Sequence, residues 1–443
     1  MRQTDFDVVI IGGGVSGTAL LYVLSEFTDI PRIALVEKYD ELATVNSSCH
    51  HNSQTLHFGD IETNYSVEKA KRVKASTDLV RRFLHLHEKT AGSPKLYSKY
   101  DKMVLAVGKR EVDILEQRYE TIREIFPKLK KIGPDRLREM EPRVMEGRDP
   151  AEPVIALVTE DGYTVDFGAL ARAFARRAER QGERTTIMTG NPVSRIDKTQ
   201  SGYRLTTPAG ELTAAFVIVA AGGHSLYLAH QLGYGTTFSI LSIAGSFFAA
   251  PKLLNGKVYK LQDARLPFAA IHGDPDVYDA DMTRFGPTAK SIPLLERYNW
   301  KSMPEYFRII GLRPSVLLSL VNILGDPVII RYILKNFLYD MPYIGKRLFL
   351  KEVRQIVPTL TLDDLNYSER TGGTRPQVIN TLTRSLDLGE AKIKGDRIIF
   401  NITPSPGAST CLGNAEADAA TIADALGFTF DTTRFTATLG SDA

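Results

Sequence analysis

The sequence predicts an α/β protein, with a Rossmann-like dinucleotide-binding domain and a second, interwoven α+β domain. Three observations carry that reading. The apolar run Val8 to Ile11 leads directly into Gly12, Gly14 and Gly17, and Ala19, Leu20, Val23, Leu24 and Phe27 then recur at helical spacing. Far downstream, Phe216 to Ala221 makes a second buried-strand pattern ending in Gly222-Gly223. A third glycine-bearing turn, Ser405 to Thr410, precedes a helical pattern from Gly413 to Leu426. No stretch is rich enough in Pro, Gly or Ser to serve as a linker, so the domains interweave. The expected division is 1–90, 150–235 and 370–443 for the nucleotide domain, and 91–149 and 236–369 for a substrate and cap domain.

The opening motif has a physical logic. Val8 to Ile11 reads as a parallel strand buried on both faces. Gly12 permits the tight turn, Gly14 lets a pyrophosphate approach the backbone, and Gly17 lets the helix pack close to the strand. Ser16 lies within the same turn, and the helix N-terminus faces the phosphates. A second strand, Ile33 to Val36, ends in Glu37, 20 residues past Gly17, where a carboxylate accepts hydrogen bonds from a ribose. That residue argues against a 2′-phosphorylated nucleotide. Lys38 beside it, Val193, Ala221 and Gly222 complete the nucleotide-binding set on this side. Further along, the chain reads as helices over 66–89, 111–126, 136–141 and 167–181, and as strands over 102–107, 193–197, 203–207 and 211–219. His85 and His87 fall on the first of those helices and read as structural.

Composition narrows the class. The chain has 443 residues, 43% of them hydrophobic and 24% charged, an ordinary globular mix. Fifty-five Lys+Arg against 52 Asp+Glu leave +3, too balanced for a dedicated nucleic-acid binder. Cys49 and Cys411 are the only cysteines, which excludes a disulfide framework, and no metal-ligand spacing occurs. The first residues lack a signal-peptide pattern, so the expected compartment is the cytoplasm. Residues 290–354 differ in texture, with 11 Lys+Arg against 5 Asp+Glu among many large aliphatic residues. Two readings stay open there. One is a helical cap over the substrate site. The other is a face on the inner surface of the cytoplasmic membrane, held through Lys335, Lys346, Arg347 and Lys351. Gly325-Asp326-Pro327 breaks any helix in this stretch, so it does not span.

Three polar strings remain. The first runs Asn46-Ser47-Ser48-Cys49-His50-His51-Asn52-Ser53-Gln54-Thr55-Leu56-His57-Phe58-Gly59. The second is Leu266 to Pro275, containing His272, followed by Thr283-Arg284-Phe285-Gly286-Pro287-Thr288-Ala289. The third is Gly372-Gly373-Thr374-Arg375-Pro376-Gln377, with the Ser405 to Thr410 turn after it. Three separated segments that return to one nucleotide fold resemble the two-dinucleotide-binding-domain flavoproteins. With these strings, the chain resembles the D-amino-acid-oxidase-like FAD oxidoreductases, and within them the malate:quinone oxidoreductases and the related L-2-hydroxyglutarate oxidases. The likeness covers essentially the whole chain.

The resemblance implies noncovalently bound FAD, a small-molecule 2-hydroxy acid as substrate, most simply (S)-malate, and membrane quinone as electron acceptor. L-2-hydroxyglutarate, one methylene longer, stays open as the alternative substrate. An amine or amino-acid oxidase and a non-catalytic flavin-fold protein are the more distant rivals. Oxidising a 2-hydroxy acid needs a base for the hydroxyl proton, which suits histidine, and a bidentate cation for carboxylate, which suits arginine. His57, His272 and Arg375 fill those roles in the three strings. Ser47, Ser48, Asn52 and Ser53 would contact the flavin ring. Gly407, Ser409 and Thr410, with the backbone of Ala408, would face the negative charge of the reduced ring at a helix N-terminus.

Overall fold

A computed structural model describes residues 4–262, 266, 270–311, 313–341, 343–387, 391–404 and 406–440. Of the residues singled out above, Pro267, Phe268, Ala269 and Ser405 lie outside the described residues. Strand β1 (Phe6–Ile11) is the middle of the first sheet, because its apolar side chains are buried on both faces. It pairs in parallel with β2 (Ile33–Val36) on one side and with Gly210–Val219 on the other. Thr185–Met188 continues the sheet beyond β2, and Ile398–Ile402 continues it beyond Gly210–Val219, both in parallel. Segments distant in sequence therefore meet in one sheet, as the glycine-bearing turns predict. Helix α1 (Val15–Phe27) packs on it against the helices Phe167–Glu179 and Cys411–Leu426. Tyr22, Phe27, Phe83, Phe174, Leu412 and Ile422 fill the core between them.

A second sheet of eight strands is the largest feature that residue patterning leaves unread. Its long centre is the antiparallel pair Tyr97–Val107 and Val154–Val165. Lys257–Lys260 joins Tyr97–Val107 in parallel, with Lys257 opposite Lys102, and His272–Pro275 and Met282–Gly286 follow. A smaller sheet pairs Phe238–Ala244 with Thr374–Asn380 and sets Arg375 opposite Ile243. The 290–354 stretch forms four short helices, Met303–Ile310, Pro314–Gly325, Pro327–Tyr339 and Gly345–Val353. Its break falls where the Gly-Asp-Pro string predicts. Asp326 caps the third helix, its Oδ1 accepting from Val328 N at 2.7 Å. Helix boundaries elsewhere shift by up to four residues. The strand expected at 193–197 starts at Arg195, which leaves Val193 in a loop.

Candidate active site

A cavity of about 470 Å³ opens at the C-terminal ends of β1 and β2. Gly12, Gly14, Ser16, Glu37, Lys38, Val193, Ala221 and Gly222 line one part of it, and Ser47, Asn52, Ser53, His57, Arg375, Gly407 and Ser409 line the rest. Gly17 is not on the wall. A Cβ there would stand 1.9 Å from Gly12 O, so its role is the close packing of helix on strand. At Gly14 an added Cβ would meet only Ser47 Oγ, at 3.3 Å, which leaves the backbone accessible from the cavity. The Glu37 carboxylate is fixed by Gly13 N at 2.6 Å and Tyr39 N at 3.0 Å, with a lone pair left on each oxygen. These residues fit the phosphate and ribose of a dinucleotide.

Several expectations for the flavin loop need correction. Ser47 Oγ accepts from Val15 N at 2.9 Å, so this hydroxyl caps the helix facing the phosphates. Ser48 does not line the cavity; its carbonyl accepts from Asn52 Nδ2 at 2.8 Å. The Asn52 amide is spent on its own loop, donating to the carbonyls of Asn46 and Ser48 and accepting from Gln54 N. Thr410 also lies off the wall, beginning the helix Cys411–Leu426. The N–H groups of Ser409 and Thr410 both donate to Pro406 O. Among the described residues, Ala408 N–H is the one amide of 408–410 with no acceptor, so it can face an anionic ring edge.

His57 stands at the meeting of two loops. Its backbone N–H donates to Ser409 Oγ at 2.9 Å, and its carbonyl accepts from Thr77 Oγ1 at 2.7 Å. Its Nδ1 lies 2.5 Å from Glu62 Oε1. Burial would push the Glu62 carboxyl up, but the His57 hydrogen bond and the charges of His57 and Lys102 hold it down at about 2. An ionised Glu62 accepts from Nδ1–H, which makes Nε2 the ring nitrogen that can exchange a proton with a ligand. Residue patterning missed Glu62, five positions after His57. Only the turn around Gly59 brings the two together.

His272 is placed differently from the expectation. It is 1% exposed and absent from the cavity wall. Its ring lies against Tyr259, centroids 4.2 Å apart, and its Nδ1 is 2.9 Å from Asp274 Oδ2. Burial lowers its basicity below that of an ordinary imidazole, against the pull of Asp274. Tyr259 OH and Thr55 Oγ1 are 2.7 Å apart, and Lys257 Nζ donates to Thr55 Oγ1 at 3.0 Å. Burial also raises the Tyr259 phenol well above its usual range. A buried polar layer thus backs the His57 side of the cavity, and His272 belongs to that layer.

Arg375 is held by its strand and by Asn46, whose Oδ1 accepts from Thr374 N at 3.0 Å. Close approach requires Gly373, where a Cβ would stand 2.6 Å from both Asn46 Oδ1 and His51 O. Among the described residues no carboxylate pairs with Arg375; the ionisable groups that its guanidinium senses are the phenols of Tyr332, Tyr259 and Tyr65. A guanidinium that lines a cavity and has no carboxylate partner among the described residues has the donor set to bind an anion.

Comparison with known proteins gives the class first. The fold is that of the two-domain FAD-binding oxidoreductases. L-alpha-glycerophosphate oxidase from Mycoplasma pneumoniae, solved with FAD bound, matches with a TM-score of 0.65 at 19% identity, over 94% of each chain. Glycine oxidase from Geobacillus kaustophilus matches with a TM-score of 0.65 at 18% identity, over 98% of each. Sequence then gives the family. The malate:quinone oxidoreductase model matches residues 4–415, and the chain belongs to that family. A Campylobacter jejuni protein named "Probable malate:quinone oxidoreductase" is 44% identical, over 99% of this chain and 100% of that one. The malate:quinone oxidoreductase of Helicobacter pylori strain J99 is 41% identical, over 97% of each.

Proposed function

We propose that this chain is an FAD-dependent dehydrogenase that oxidises (S)-malate to oxaloacetate and passes the electrons to membrane quinone. The observation that carries the reading is Arg375, with no carboxylate partner among the described residues and lining the same cavity as His57. The residues lining the cavity would hold FAD noncovalently, and the bound flavin would supply the acceptor for the C2 hydride of the substrate. Arg375 binds a substrate carboxylate through two parallel N–H donors and turns the hydroxyl toward His57. His57 Nε2 takes the hydroxyl proton as the carbonyl forms, and Glu62 stabilises the imidazolium through Nδ1–H. Tyr259, Thr55 and the His272–Asp274 pair keep that wall rigid. Noncovalent attachment is supported by the placement of His50 and His51, the adjacent histidines of the flavin loop. His51 Nδ1 is engaged by Val45 O at 2.8 Å, and His50 is exposed and off the cavity wall.

Malate-dependent reduction of a short-chain quinone, run beside L-2-hydroxyglutarate, tests the substrate. Malate is expected to give the higher kcat/KM. A preference for L-2-hydroxyglutarate would move the chain to the alternative. The cofactor has a separate test in Gly17→Ala, whose Cβ would force helix from strand. The purified variant is expected to lack the flavin absorbance of the parent, and full flavin content would contradict the packing argument.

Peripheral attachment to the membrane belongs to the same proposal. Among the described residues no single helix is long and apolar enough to cross a membrane. The helices over 303–353 nevertheless leave Leu317, Leu318, Val321, Leu334, Phe337 and Tyr343 exposed, Val321 by 69% and Tyr343 by 94%. Lys335 is less available than expected, because it pairs with Glu352 at 2.6 Å. Lys346, Arg347 and Lys351 then supply the charge, each contributing on the order of 1 kcal/mol near an anionic surface. Sedimentation with anionic vesicles is expected to weaken with salt and to drop when those three become Gln. Equal partitioning onto neutral vesicles would contradict the electrostatic part.

A further inference from the structure

Lys38, His224, Glu296 and Glu305 lie on the cavity wall and take no part in the proton transfer above. Lys38 follows β2, next to Glu37, and His224 opens the helix His224–Gln231 behind Gly222-Gly223. Both therefore stand on the nucleotide side, at the end of the cavity away from His57 and Arg375. Glu296 and Glu305 come from elsewhere in the chain, the loop after Ser291 and the helix Met303–Ile310. Glu296 is 5% exposed. Its carboxylate pairs with Lys38, accepts from Tyr39 OH at 2.6 Å and Asn299 Nδ2 at 2.9 Å, and lies 3.8 Å from His224 Nδ1. Glu305 Oε2 is 2.8 Å from His224 Nε2. Leu295 covers Gly223, and Arg308, one turn past Glu305, donates to Tyr227 OH at 2.9 Å.

Buried ion pairs add little net stability, so the informative fact is where this one sits. It joins two separate parts of the chain across one end of a ligand cavity. We infer that Glu296 and Glu305 are cofactor-retaining residues, which with Lys38, Tyr39 and His224 clasp the adenosine end of the cavity and set how slowly the dinucleotide leaves. This rests on the reading that the cavity holds FAD. Glu37 fixes the ribose, and the clasp closes the wall beyond it, so the dinucleotide leaves by that end only when Glu296 and Glu305 part from their partners. The ties are made by ends of side chains and not by continuous backbone, which suits a wall that must open for loading.

The test uses the FAD-loaded full chain, diluted so that released flavin is read by its recovered fluorescence. Glu296→Gln keeps the shape but loses the ion pair, and release is expected to speed up by about tenfold or more. Glu305→Gln, on the more exposed pair, is expected to give a several-fold increase, and it decides the matter alone if the Glu296 variant does not fold. The gap in thermal midpoint between FAD-loaded and FAD-free protein is expected to narrow in both variants. Release within about twofold of the parent in the folded variants would overturn the clasp. A parent that carries no flavin would overturn the underlying reading of the site as well, and the parent's own absorbance shows which has failed.

Discussion

His57→Ala is expected to slow anaerobic flavin reduction by malate by about 10²–10⁴-fold, the usual contribution of a positioned general base. The loss belongs to the proton-transfer step, because Arg375 and the cofactor wall are untouched. Malate affinity, read by titration of the flavin spectrum at equilibrium, is therefore expected to change little. Glu62→Gln is expected to slow reduction by a smaller factor. An amide still accepts from Nδ1–H, but it carries no charge to stabilise the imidazolium that forms. His272→Ala is expected to cost less than His57→Ala, since His272 is packed behind Tyr259 and off the cavity wall. A larger loss at His272 would reverse the assignment of the base.

Arg375→Lys is expected to weaken malate binding by about 1.5–3 kcal/mol, roughly 10–150-fold in Kd. Charge is kept, so the loss comes from geometry. An ammonium is a single point donor, and it cannot match the two oxygens of a carboxylate with two parallel bonds. No carboxylate among the described residues stands ready to pair with the new lysine, which leaves its charge buried and under-solvated when malate is absent. Unchanged affinity in Arg375→Lys would show that the residue is not the carboxylate clamp.

What the residue string makes legible, and what it does not, follows from the range of the forces involved. The nucleotide motif is local: Gly12, Gly14, Gly17 and Glu37 lie within one strand–helix–strand unit, and their spacing alone fixes their geometry. Arg375 and His57 are singled out in the sequence because they sit in short polar strings that resemble those of a family, and both line the cavity. Glu62 is invisible by the same route, because its partnership with His57 depends on a turn at positive φ around Gly59. The second sheet is hidden for a related reason. Its pairing of Tyr97–Val107 with Val154–Val165 and Lys257–Lys260 joins segments far apart in sequence, and alternation along each strand names no partner. Ser47, Ser48, Asn52 and Thr410 show the limit from the other side. Small polar residues in a loop near a ligand satisfy their own backbone as readily as the ligand, and composition cannot tell the two uses apart.

We propose that one cavity holds a flavin, a carboxylate clamp and a base arranged for a 2-hydroxy acid. Anaerobic mixing of the purified protein with L-malate tests it most directly. The oxidised flavin band is expected to bleach rapidly and to return on adding a quinone. A yellow protein that no 2-hydroxy acid bleaches, but that an amine or amino acid does, would contradict the assignment of Arg375 and His57.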